Sequence, residues 1–293
     1  MADEEYRNPA ELARALIGAK YVPSFGLAAA VFLARRLERP LFLEGEPGVG
    51  KTQLAKTMAE LLRVPLIRLQ CYGGIDAAQA LYDWNFAKQI LRIRAAETDE
   101  SVYTVEFLVE RRILTAIRTG HCVLLIDEID RADDEFEALL LEVLEDYTIT
   151  IPELGPIVAP VTPLVFLTSN RTREVHDALK RRCLYHWIEH PPFEREVEIV
   201  RSRVDGIPES VAREAVSLIG RLRDRDRLEL VRRPGVAESI DLAGAALALG
   251  AEAIDEQVAE LALGAYVKQE EDVPKVRKEL PKLFPLPVSG TAS

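Results

Sequence analysis

The chain has 293 residues, 48% of them apolar, and a formal net charge of −11. That length exceeds the usual single domain and allows one large and one small domain, each with its own core. The acidic balance argues against a nucleic-acid surface as the main partner, since phosphate contacts need clustered Lys and Arg, and no stretch approaches the roughly 20 uncharged apolar residues of a membrane span.

The N-terminus, MADEEYRN, lacks a basic region followed by an apolar one, so a cytoplasmic location is expected. Cys71, Cys122 and Cys183 lie far apart and read as free, buried thiols of a reducing compartment. Cys183, His186 and His190 have C-x2-H-x3-H spacing, but a fourth ligand is missing and ordinary packing is the reading kept.

Residues 26–38 have helical periodicity that stops before Pro40, and Leu41 to Leu43 open the first strand. GEPGVGKT follows at 45–52, and a helical pattern runs from Lys51 to Leu62. A second strand covers Leu66 to Leu69 and ends at Gln70. Residues 76–96 read as one helix and Phe107 to Thr119 as another. On that reading Glu106 and Glu110 are solvated helix charges, and Tyr82, Trp84 and Phe86 are packing residues. Cys122 to Ile126 is an apolar strand ending in Asp127 and Glu128, and residues 134–147 place Phe136, Leu139, Leu140, Val143 and Leu144 on one helical face. Thr148 to Ile151 and Ile157 to Val158 flank a turn, which predicts a hairpin. Leu164 to Thr168 and Leu184 to Ile188 are the remaining strands. Alternating strands and helices with continuous apolar strand runs imply an α/β fold, a parallel sheet covered by helices on both faces. After Pro191-Pro192 the pattern is helical up to residue 283, so residues 1–192 and 193–293 are expected to form an α/β core and an all-helical lid with a loose tail.

The run at 45–52 matches G-x-x-x-x-G-K-T in a strand–loop–helix context, the setting that phosphate binding requires. Gly45, Gly48 and Gly50 let the backbone close on a phosphate without Cβ atoms in the way. N–H groups of Glu46, Pro47's successors and Val49, together with the helix start at Lys51, Thr52 and Gln53, favour an anion there. Lys51 can neutralise β- and γ-oxygens, and the Thr52 hydroxyl can hold Mg²⁺. Asp127 is the second Mg²⁺ candidate, and Glu128 is the candidate base for the water that attacks a γ-phosphate. Asn170, at the end of LVFLTSN, can orient that water without adding charge. Lys180-Arg181-Arg182 could supply an arginine that stabilises charge built up in cleavage. Gln70 either couples Glu128 to ligand state or simply caps its strand. ATP with Mg²⁺ is the expected ligand.

Taken in order, GEPGVGKT, VLLIDEIDRA, VFLTSN and DALKRRCLYHW resemble the AAA+ ATPases, specifically the MoxR family. ALYDWNFAKQILRIRAAE and TITIPELGPIVAPVTPLVFLTSNRTREVHDALKRRCLYHWI are similar to its CoxD-type branch. The resemblance implies a P-loop AAA+ core, a C-terminal helical lid and a ring, usually a hexamer. It places the hairpin around Pro152 to Gly155 before the sensor strand, facing the pore, and the arginine finger on Arg182, with Arg181 as the fallback. It puts Tyr21 and Val22 where relatives pack adenine. It also implies a chaperone role in maturing a molybdenum hydroxylase such as carbon monoxide dehydrogenase, with a von Willebrand factor A partner and a client apoenzyme. Where relatives carry a lid arginine after a Ser-Pro, this chain has RRPGVAESID, with Gly235 after Pro234; Arg232 or Arg233 stands in from the preceding turn. A rival expectation is a slow nucleotide-dependent switch that recruits a partner without mechanical work.

Overall fold

The computed structural model describes residues 6–95, 101–223 and 228–284. It divides into two compact units. One comprises residues 1–19, 23–45 and 51–188, and the other residues 20–22, 46–50 and 189–293.

The first unit opens with α1 (Pro9–Gly18) and α2 (Phe25–Arg36). Asn8 and Ser24 cap them by accepting from the N–H groups of Glu11 and Leu27. β1 (Leu41–Gly45) leads to α3 (Lys51–Leu62), then β2 (Leu66–Gln70). The single helix expected over 76–96 is instead three pieces: α4 (Ala77–Ala80), β3 (Tyr82–Trp84) and α5 (Phe86–Ala95). Residue 96 lies outside the described residues. The helix expected from Phe107 is likewise split into β4 (Leu108–Glu110) and α6 (Arg112–Thr119). β3 and β4 pair antiparallel, Tyr82 opposite Glu110 and Trp84 opposite Leu108. Aromatic residues favour a pleated, half-buried surface, and this tertiary pairing overrides the weak helical period. Glu110 therefore stands in β4 rather than in a helix, whereas Glu106 lies in the short 3-10 turn Val105–Phe107; both are exposed and pair with Arg118 and Lys88 respectively.

β5 (Val123–Asp127), α7 (Asp134–Asp146), the hairpin β6 (Thr148–Ile151) and β7 (Gly155–Val158), β8 (Leu164–Ser169), α8 (Asp177–Arg182) and β9 (Leu184–Ile188) complete the unit. The five-stranded sheet has the order β2-β5-β8-β1-β9, and every pairing in it is parallel. β5 and β1 are buried along their whole length, which explains the apolar runs Val123–Ile126 and Leu41–Leu43 that lead to their buried acidic ends. Parallel pairing sets the ends of β1, β2, β5 and β8 at one edge, so Gly45, Gln70, Asp127 and Ser169 come to the same rim. Leu124, Ile126, Phe136, Leu140 and Val165 belong to the core beneath that rim.

The second unit is helical in its described residues after Ile188: α9 (Phe193–Arg203), α10 (Glu209–Arg223), α11 (Val236–Ala248), α12 (Glu256–Leu261), α13 (Leu263–Tyr266) and α14 (Val273–Leu283). It has its own apolar cluster, including Val211, Ile219, Leu242 and Tyr266. A buried bidentate pair, Arg223 on Glu196 at 2.9 and 3.1 Å, fastens α10 to α9, and the Ser239 hydroxyl donates to the same carboxylate. The expected loose tail begins at Phe284, and residues 285–293 lie outside the described residues. No helix among the described residues is long and apolar enough to cross a membrane.

Leu124 is fully buried in the strand that ends at Asp127. Leu124→Ala is expected to cost about 2–5 kcal/mol, read as a lower urea midpoint by circular dichroism.

Candidate nucleotide site

In the sheet unit the loop's two ends meet: the Lys51 ammonium donates to the Gly45 carbonyl at 2.7 Å. Lys51 is only 7% exposed. Burial lowers its pKa from 10.5 to about 8, while the carboxylates Asp130, Asp127, Glu128 and Glu44 pull it back up. The Thr52 hydroxyl stands 3.0 and 3.2 Å from the two Asp127 oxygens. The two residues expected to hold Mg²⁺ are thus brought together.

Asp127 is 2% exposed and accepts more than the sequence suggested. Thr168, from the neighbouring strand β8, donates its hydroxyl to Oδ1 at 2.5 Å. Arg68, from β2, donates through Nε and Nη2 to Oδ2 at 2.9 and 2.6 Å, and also contacts Gln70. Arg68 and Thr168 were missed because nothing in the linear order flags them. Only strand register, Leu125 beside Arg68 and Ile126 beside Leu167, puts them against Asp127.

Glu128 directly follows β5 in a left-handed conformation, φ +56°. For a non-glycine residue this costs on the order of 1–2 kcal/mol and is typical of functional turns. Its N–H donates to the Thr168 hydroxyl at 2.9 Å, and its carboxylate pairs with Arg131 at 2.8 Å. Asn170 is half-buried; its backbone N–H donates to Asp130 Oδ2 at 3.2 Å, and its side-chain amide makes no hydrogen bond among the described residues. Thr172 donates to the same Asp130 oxygen through N–H and hydroxyl, at 2.8 and 2.7 Å. The other oxygen, Asp130 Oδ1, is buried without a partner among the described residues. Asp130 was not singled out in the sequence, although it lies within the motif VLLIDEIDRA.

Arg182 is held within its own chain, donating to Glu145 at 2.6 Å and to the Leu141 carbonyl at 3.1 Å. Arg181 is exposed, and its side chain has no partner among the described residues.

Glu46, Pro47, Gly48, Val49 and Gly50 group with the helical unit. Gly48 and Gly50 have φ of +83° and +93°, which L side chains rarely adopt. Tyr21 is buried with its hydroxyl 3.5 Å from the Gly50 carbonyl. His190 Nε2 lies 3.1 Å from Glu46 Oε2. A Cβ on Gly235 would sit 3.1 Å from the Pro47 carbonyl, so within this unit the backbone at Gly235 lies close to the loop. Arg232 uses its N–H on Asp272, and Arg233 is half-buried, its side chain making no hydrogen bond or ion pair with the loop among the described residues.

The donor set fits a magnesium–triphosphate ligand. Among the described residues no three His, Cys, Asp or Glu side chains gather to hold a metal. One hydroxyl and one carboxylate suffice for Mg²⁺, which keeps waters and takes phosphate oxygens as its other ligands. The three cysteines are free and buried, and burial raises Cys71, Cys122 and Cys183 to about 12, 11 and 12. They are unreactive thiols.

Residues 40–183 match the family model for the AAA domain of the dynein-related subfamily. That match covers just under half of the chain, and the fold is a P-loop AAA fold followed by a helical region. An uncharacterized protein of Staphylococcus saprophyticus is 29% identical over 154 residues, 50% of this chain and 54% of its own length. One from Staphylococcus aureus (strain USA300) is 30% identical over 153 residues, again 50% and 54%. The match spans about half the length of these curated relatives. The crystal structure of a "putative ATPase" from Cytophaga hutchinsonii covers 96% of both chains with a TM-score of 0.50 and 15% identity, a likeness of fold.

The depressed Lys51 pKa sets a pH dependence. Above about pH 8 the ligand-free protein increasingly holds Lys51 uncharged, whereas a bound polyphosphate requires the ammonium. Affinity for MgATP is expected to fall by up to about tenfold per pH unit between about 8 and 10.5. The stability contribution of this group has the opposite sign, since the unfolded chain binds the proton more tightly across that window. Calorimetric titration of wild type against Lys51→Met, whose weaker binding should be flat with pH, checks this.

Proposed function

We propose that the chain is an ATP-hydrolysing AAA+ ring remodeller of the MoxR type. The contact of Thr52 with Asp127, beside the buried Lys51, is the observation that carries this reading. Lys51 and the loop residues Gly45 to Gly50 bind the phosphates, with Thr52 and Gln53 at the start of α3. Thr52 and Asp127 would hold Mg²⁺, which would neutralise phosphate charge. Glu128 accepts a proton from water as that water's oxygen bonds to the γ-phosphorus. The bond from phosphorus to the β–γ bridging oxygen breaks, leaving ADP and inorganic phosphate. Asn170 orients the water, and Arg182 of a neighbouring copy, or Arg181, stabilises the spreading charge. Arg233, or Arg232, serves as the lid contact.

The CoxD-like sequence runs support a finer reading. A cytoplasmic homo-oligomer, a hexameric ring, works with a von Willebrand factor A protein on a client apoenzyme of the molybdenum-hydroxylase type. One observation favours the rival, a slow nucleotide-dependent switch: Arg182 and Glu128 are both engaged by residues of their own chain, Glu145 and Arg131. On that reading turnover stays low until a partner releases them.

Glu128→Gln should keep MgATP binding and lose turnover by about 100-fold or more; unchanged turnover removes Glu128 from the mechanism. Arg182→Ala should spare binding and lower kcat by about 1000-fold, with wild-type activity per chain rising with protein concentration. If Arg181→Ala alone has that effect, the finger is Arg181. Concentration-independent activity, insensitive to both changes, would remove the neighbour's arginine from the account.

A further inference from the structure

Glu44 is a buried carboxylate that the mechanism above does not use. It is the last residue before Gly45 in β1 and only 4% exposed. In register it sits between Ser169 of β8 and Trp187 of β9. Paired residues of parallel strands share a face, so Glu44, Ser169 and Trp187 line one side of the sheet at its functional rim.

Three elements meet on this carboxylate. The Tyr185 hydroxyl donates to Oε2 at 2.8 Å, and the Ser169 hydroxyl donates to Oε1 at 3.5 Å. The Lys180 ammonium lies 3.6 Å from Oε1 and 5.8 Å from the centre of the Phe42 ring. Ser169 also accepts the Arg171 N–H at 3.0 Å, and the Arg171 guanidinium lies 5.5 Å over the Trp187 ring. Through Oε1, Glu44 thus reaches both the segment carrying Asn170 and α8, whose next residues are Arg181 and Arg182, while Tyr185 of β9 holds Oε2. A buried charge needs its counter-charge and donors to stay in place, so moving any of the three elements disturbs the others.

We propose that Glu44 is a positioning residue that ties the phosphate-loop strand to both the Asn170 segment and the arginine-bearing end of α8. The proposal rests on the ATPase reading. Loss of the negative charge leaves Lys180 without its anion and frees α8 and the Asn170 segment to drift, while Lys51, Thr52 and Asp127 keep their own contacts. Misplacement near 1 Å is enough to slow chemistry strongly with little change in ground-state binding.

The test uses the full chain in a Trp84→Phe background. The sequence has two tryptophans, so Trp187 is then the sole emitter. In the parent, MgATP should change Trp187 emission. Glu44→Gln should lower kcat about tenfold or more with KM within about threefold, and abolish the emission change while MgATP still binds by equilibrium dialysis. Lys180→Met should behave alike, and Lys180→Arg should restore most of kcat. If Glu44→Gln does not fold, Lys180→Met and Tyr185→Phe carry the same test. Parental kcat together with a parental emission change in these variants overturns the proposal. So does loss of kcat accompanied by equal loss of MgATP binding, which would make Glu44 a structural residue. A parent that binds MgATP without turnover sinks only the hydrolysis reading, because the emission change still decides on Glu44. A parent that binds no MgATP removes both.

Discussion

The arrangement of this protein depends on a single buried anion, Asp127, at the rim of a parallel sheet. A carboxylate with 2% exposure survives only if donors surround it. Here they come from three directions: Thr52 on the helix after the loop, Thr168 on the next strand, and Arg68 on the strand before. Each donor ties its own element to the end of β5. The carboxylate organises the sheet edge, and on the reading proposed above it is also the oxygen ligand offered to a cation.

Lys51 illustrates the balance of forces at that edge. Removal from water disfavours its charge, and four nearby carboxylates restore it only in part. A group held near the point of neutrality responds strongly to an incoming polyanion, which supplies the missing counter-charge. Acidic residues therefore crowd the rim beside Lys51 without contradiction. Asp127 answers Arg68, Asp130 holds the Asn170–Thr172 turn, and Glu44 answers Lys180.

Much of this was legible in the sequence wherever a local rule governs the outcome. The buried strands at 41–45 and 123–127 and the phosphate loop announce themselves by apolar runs and glycine spacing. The hairpin over 148–158 follows from turn chemistry. Residues 76–96 failed because the helical period there is imperfect, and antiparallel pairing of Tyr82–Trp84 with Leu108–Glu110 captures three of its residues. Arg68, Thr168, Asp130 and Glu44 escaped for another reason. Their partners lie on other elements, and only strand order decides who meets whom. The arginine pair at 181–182 shows a third limit. Sequence placed both before β9, but Glu145 of the same chain holds Arg182 while Arg181 stays exposed. Gly235 stands where a lid arginine was sought, and its lack of a side chain is what permits its closeness to Pro47.

The most direct test of the central claim is calorimetric titration of ATP into the protein with and without Mg²⁺, repeated on Asp127→Asn. Binding in the micromolar range that tightens with Mg²⁺, with the metal's gain lost in the variant, is the expected result. Absence of binding, or affinity indifferent both to Mg²⁺ and to the loss of the Asp127 charge, would contradict it.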